Sequence, residues 1–264
     1  MITELKEFWS RYTPYKLHPD DEDYLSINKL KYCLEVSIEE LRNKYGNDLK
    51  LKQVKESFVS NKFNRNKIIP NIFAIPFLGD VENARVYILM GNPGFDTGDY
   101  VDEIENANYI KLLKNNLDFK CKNFFCIDSM ALGTGGEKYW SQNGRMPKIL
   151  KYLNSKNNLT SQENYSFIKK SVCIIQSVAY HSCEKPNNKL YNLPSSRFNK
   201  RLVNEYVQNK INNKKSLCFV YRSASFWNMQ DNGNLIVRSP KNARHQYLTE
   251  NEADSIADFL NSMI

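Results

Sequence analysis

Ala84-Arg85-Val86-Tyr87-Ile88-Leu89-Met90-Gly91-Asn92-Pro93-Gly94-Phe95 is the stretch on which the fold turns. Apolar residues run almost without alternation to Met90, as in a strand buried on both faces of a parallel sheet. The run then stops in Gly-Asn-Pro-Gly. Glycine permits positive φ or close backbone approach, and proline fixes φ and removes a donor, so this is turn chemistry. α/β proteins bind ligands beyond the carboxyl ends of their strands, where a buried strand breaks into a tight polar loop. Asn92 therefore stands where a reacting group could sit, although Asn-Pro-Gly is also an ordinary turn.

Three more apolar runs end in the same way. Residues 172–178 break into Ala179-Tyr180-His181-Ser182, and residues 217–221 into Arg222-Ser223-Ala224. Residues 235–237 break into Arg238-Ser239-Pro240-Lys241-Asn242-Ala243-Arg244-His245. Helical patterns occupy residues 109–117, 147–153, 161–170 and 250–263. Strands alternating with helices predict an α/β fold, with the polar strand ends gathered along one edge. The expected form is a three-layer α/β/α sandwich around a mainly parallel four-stranded sheet. Upstream, Leu5, Phe8 and Trp9 mark one helix. Ile27, Leu30, Leu34, Ile38 and Leu41 mark a second, capped by Ser26 and closed by Gly46. The expected division is an N-terminal helical extension, residues 1–69, and one compact α/β domain, residues 70–264. His18, in a loop-like Leu-His-Pro-Asp segment, receives no role.

Composition narrows the function. At 264 residues, 41% hydrophobic and 25% charged, the chain reads as an ordinary globular protein. No apolar run is long enough to span a bilayer and no signal-peptide core opens the chain, so a cytoplasmic protein without membrane contact is expected. Cys33, Cys121, Cys126, Cys173, Cys183 and Cys218 are scattered without metal-site spacing. They read as reduced structural thiols, with no metal, iron–sulfur cluster or other cofactor expected. Three glycines in Leu132-Gly133-Thr134-Gly135-Gly136-Glu137-Lys138-Tyr139-Trp140 suggest a flexible loop, but the Walker pattern is missing, so an ATPase is not expected. The net charge of +8 points to an anionic partner, though a lysine-rich bias would give the same total. Between Lys185 and Lys215, eight basic residues face one acid, Glu205. Such a one-sided stretch reads as phosphate-facing surface. The acids Asp96, Asp99, Asp102 and Glu103 sit awkwardly beside it, and either face away or serve in catalysis. A metal-dependent nuclease would work through the first three.

Met90-Gly91-Asn92-Pro93-Gly94 is similar to the G-x-N-P-G motif of mismatch-specific and single-strand-selective uracil-DNA glycosylases. Ser239-Pro240-Lys241-Asn242 resembles their second motif, H-P-S-P-R-N, and follows the last strand. Over residues 70–262 the chain thus resembles the uracil-DNA glycosylase superfamily. The resemblance implies a monofunctional DNA glycosylase, acting as a monomer on DNA, that flips a nucleotide into a pocket and hydrolyses the bond between base and sugar. Asn92 would orient the water, since an amide is a poor general base. Gly91, Phe95, Phe125 and Tyr180 would enclose the flipped base. An aromatic stacked on it is worth about 1–3 kcal/mol. His181 stands at the base-reading position. Ser239, Lys241, Asn242, Arg244 and His245 would enter the groove, with Arg197 and Lys200 adding basic surface.

Two positions depart from the pattern. Val237 replaces the histidine that opens the second motif and stabilises the leaving base, so that role passes to Arg238, His181 or His245. Asn92, His181 and Arg238 are accordingly the candidate catalytic residues. Met90 replaces a glycine in the first motif. Both departures point to a modified or non-standard base. By analogy with bacterial glycosylases that attack viral DNA, modified cytosine and an antiviral role are expected. The alternative is a catalytically silent nucleic-acid-binding module of the same fold.

Overall fold

The computed structural model describes residues 1–32, 43, 67–185, 187–231, 233–242 and 247–264. The described elements run α1 (Ile2–Ser10), α2 (Pro19–Ile27), β1 (Phe77–Leu78), β2 (Val86–Met90), α3 (Thr97–Glu105) and α4 (Ala107–Leu117). Then come α5 (Gly135–Trp140), α6 (Met146–Asn154), α7 (Ser161–Ser171), β3 (Val172–Gln176), α8 (Pro194–Arg201) and α9 (Gln208–Asn212). The chain closes with β4 (Leu217–Val220), α10 (Ala224–Trp227), β5 (Leu235–Val237) and α11 (Glu250–Asn261).

The protein is α/β, built on a mixed sheet of five strands in the order β1-β3-β2-β4-β5. β2 lies in the middle and pairs in parallel with β3 and β4, placing Ile88 opposite both Ile174 and Phe219. β5 joins β4 in parallel, and β1 closes the other edge antiparallel to β3. Every residue of β2, β3 and β4 is buried, which explains sequences that are apolar but for Gln176 at the end of β3. Each buried Val, Leu, Ile, Phe or Met among them contributes about 1.5–3 kcal/mol by leaving water. The four expected strands are present and mutually parallel. The expectation of a four-stranded sheet is corrected to five, because β1 is a two-residue strand with no period to read.

Other departures have local causes. Asp96 and Asp99 form a capping box that starts α3 inside the acid-rich segment. The glycine-rich loop holds α5, started by Thr134 accepting from the Glu137 N–H. The basic insert forms α8, which passes through a π-helical turn, Leu202–Val207, into α9. Phe125–Ile127 is a buried 3₁₀ turn. Ser26 caps nothing: it lies in the last turn of α2, and the chain turns at Lys29 with φ 52°. The remainder of the helix expected up to Gly46 falls almost wholly outside the described residues.

α1 and α2 share the core of the sheet through Leu5, Phe8, Trp9 and Leu25. His18 does have a role. Its ring lies on Phe8 at 3.9 Å, and its Nδ1 accepts from the Asp20 N–H as the N-cap of α2. At the opposite end of the chain, α11 packs on α6. No helix of the described residues is long and apolar enough to cross a membrane.

Candidate functional site

A cavity of about 790 Å³ opens at the carboxyl ends of the parallel strands. Met90, Gln176 and Val220, the last residues of β2, β3 and β4, line it, as does Arg238 just beyond β5. Its size is within the range of small-molecule sites.

The loops after β2 and β3 are stitched together. Ser177 N–H donates to the Met90 carbonyl at 3.1 Å, Val178 N–H to Gly91 at 2.9 Å and Ser182 N–H to Pro93 at 3.3 Å. A Cβ on Gly91 would stand 3.4 Å from Ser223 Oγ, which places the loop after β4 against this rim. Asn92 is half-buried. Its Nδ2 donates to the Pro93 carbonyl (2.6 Å) and to Ser182 Oγ (2.8 Å), and Ser182 Oγ donates onward to the Glu184 carbonyl (2.5 Å). With Nδ2 committed, Asn92 Oδ1 makes no hydrogen bond among the described residues and remains an oriented acceptor.

His181 sits beneath this loop, 5% exposed, with Nδ1–H donating to the Gly94 carbonyl at 2.6 Å. Burial holds its pKa at about 4, against the opposing pull of the Gly94 and Phe73 carbonyls, so the imidazole is neutral at neutral pH. Arg238 reaches the cavity wall with its guanidinium engaged. Nε and Nη2 meet the two carboxylate oxygens of Glu252 at 3.0 and 2.6 Å, and Nη2 also donates to the Tyr247 carbonyl. Glu252 is itself part of the capping box that starts α11. Phe95 forms a half-buried wall, edge-on to Tyr100 at 5.5 Å.

The acids after the first loop have structural work. Asp99 accepts from the Asp96 N–H at 2.7 Å, and Asp102 from the Gly135 N–H at 2.8 Å, which ties α3 to α5. Burial, helped by the nearby Asp102 and Asp96 charges, raises Asp99 to about 7. Among the described residues no group of three or more His, Cys, Asp or Glu is gathered as for a metal ion.

Gly91, Asn92, Phe95, His181 and Arg238 therefore share one cavity. Phe125 and Tyr180, expected to enclose a base, are corrected to core residues. Phe125 is buried edge-on to Tyr109 at 6.4 Å. Tyr180 is fully buried: its hydroxyl accepts from the His18 N–H and donates to Asp21, which in turn accepts from the Ser195 N–H. Ser239 and Lys241 are exposed and Asn242 half-buried, flanking Pro240, which lines the cavity. Arg197 is exposed on α8, and Lys200 lies over the Phe226 ring at 5.3 Å; neither lines the cavity. Arg244 and His245 lie outside the described residues.

Sequence reasoning missed Ser182, Tyr139, Tyr221 and Arg222 as cavity residues. The aromatic end of the glycine-rich loop and the polar end of β4 were the available signals, but no spacing links them to Asn92. Comparison of the chain with family models, curated proteins and solved structures finds no match in any of the three.

Proposed function

We propose that the protein is a monofunctional DNA glycosylase that flips a base out of the stack and hydrolyses its bond to the sugar. The observation that carries this reading is the setting of Asn92. Its amide is oriented through Nδ2, its Oδ1 is left as an acceptor, and it lines a cavity into which the strand end of the second motif also opens. An oriented amide acceptor of this kind can hold a water against a sugar carbon while neutral His181 and Phe95 bound the base. The same reading takes the helices as the outer layers of a three-layer sandwich. DNA is the partner, gripped through Ser239, Lys241 and Asn242. It keeps a modified base as substrate, cytoplasmic defence as setting and a monomer as the working form.

One observation favours a second reading, a nucleic-acid-binding module without catalysis. The cation next to the vacant motif histidine, Arg238, is neutralised by Glu252. The discriminating assay is base release followed by mass spectrometry. Uracil-containing, mismatched, alkylated and cytosine-modified DNAs are incubated with the protein, with and without chelator. Release of one free base in both conditions is expected. DNA binding without release from any of them would favour the module, and release or strand cutting abolished by chelator would favour metal chemistry.

A further inference from the structure

Two of the three residues that could replace the missing motif histidine are otherwise engaged. Arg238 is paired with Glu252, and His181 is neutral with its Nδ1 proton on the Gly94 carbonyl. The third, His245, lies outside the described residues. The same cavity carries another polar pair, the phenols of Tyr139 and Tyr221. Each ring has a buried guanidinium lying against its face: Arg145 is 3.5 Å from the Tyr139 centroid, and Arg238 is 3.7 Å from that of Tyr221. Arg145 is 1% exposed, so its cation is not screened by bulk water, whereas the charge of the also buried Arg238 is met by Glu252. Arg145 is held there by the Tyr139 carbonyl and by Gln142 Oε1 at 2.6 Å. A cation over a ring face draws electron density from the phenol and strengthens its O–H as a donor. Burial raises Tyr139 to about 12, so the proton stays in place at working pH.

We infer that Tyr139, half-buried in the cavity wall with the Arg145 guanidinium against its ring, donates the hydrogen bond that stabilises the departing base, the role that Val237 leaves unfilled. The inference rests on the glycosylase reading. In the step, the C1′–N bond breaks and its electron pair leaves on the base. The water oxygen held at Asn92 bonds to C1′, and the proton it sheds ends on the base through solvent. Tyr139 transfers no proton; it shares one with the base oxygen that gathers the negative charge. Tyr139 is thus the catalytic residue, with Arg145 against its ring, and Tyr221 lines the same cavity.

The test uses free bases as probes, apart from any DNA chemistry. 5-Nitrouracil, an anion at pH 8, and neutral uracil are titrated into the intact protein, Tyr139→Phe and Tyr221→Phe, each checked for an unchanged melting temperature. The wild type is expected to prefer the anion. Tyr139→Phe should lose about tenfold of that affinity with uracil unaffected, and Tyr221→Phe a smaller part. In single-turnover base release, Tyr139→Phe should be about 100-fold slower, most of all for the poorest leaving base. Equal affinity of wild type and Tyr139→Phe for the anion, or no binding of either base, overturns the inference. Base release that continues undiminished in Tyr139→Phe overturns it while leaving the glycosylase reading intact. No release by the wild type, with Tyr139-dependent anion binding, sinks the glycosylase reading instead.

Discussion

Ser182 is the residue whose loss most cleanly tests how Asn92 is held. It receives the Asn92 amide at 2.8 Å from a different strand end, 90 positions away. Ser182→Ala removes one hydrogen bond worth about 1 kcal/mol, so single-turnover base release should fall roughly five- to tenfold while DNA affinity stays level. An unchanged rate would show that Asn92 needs no such brace. The place of Asn92 at a strand end facing the cavity was legible, because a buried apolar run breaks there into Gly-Asn-Pro-Gly. Its partner was not, because nothing in a linear sequence pairs residues so far apart. Aromatic residues were similarly ambiguous: Phe95 and Phe125 look alike in sequence, yet one walls the cavity and the other fills the core. Phe125→Ala should accordingly destabilise the fold by about 3–5 kcal/mol in chemical denaturation.

At the scale of elements, β2, β3 and β4 were legible because burial on both faces demands nearly unbroken apolar runs, and the partly buried β5 because a short apolar run there breaks into a polar loop. β1 and α5 were not. The first is too short for a period, and the second begins with two glycines that read as a loop until Thr134 is seen to cap it. The β5 end shows how elements share a joint, since Arg238 fixes the loop after β5 to the first turn of α11 through Glu252. Glu252→Ala leaves a buried guanidinium without its counter-charge and should cost about 3–5 kcal/mol. Thermal or denaturant unfolding measures this directly, and a loss under about 1 kcal/mol would mean that the pair is dispensable.

Across the whole molecule, net charge and local charge tell different stories. Of the eight basic residues between Lys185 and Lys215, Arg201 pairs with Glu4, and Lys210 donates to the carbonyls of Glu82 and Ala84. The composition could not reveal that these are spent on the fold. Stability should depend on pH through two opposed groups. His181 titrates near 4 in the fold and about 6.5 when unfolded, so the unfolded chain takes the proton first. Acidification from about 6.5 to 4 therefore drains up to about 3 kcal/mol, a loss that His181→Asn should largely flatten. Asp99 runs the other way: its folded pKa of about 7 makes the fold hold a proton that the unfolded chain has released, so stability falls as pH rises from about 4 through 7. Asp99→Asn should then be more stable than the wild type at pH 8, with the advantage gone by pH 4. Above all of these stands the catalytic claim for Asn92. The decisive measurement is single-turnover base release by Asn92→Ala on the DNA that the wild type cleaves, with DNA affinity measured in parallel. A rate lower by about 100-fold or more at unchanged affinity is expected, whereas release at the wild-type rate would contradict the glycosylase account at its centre.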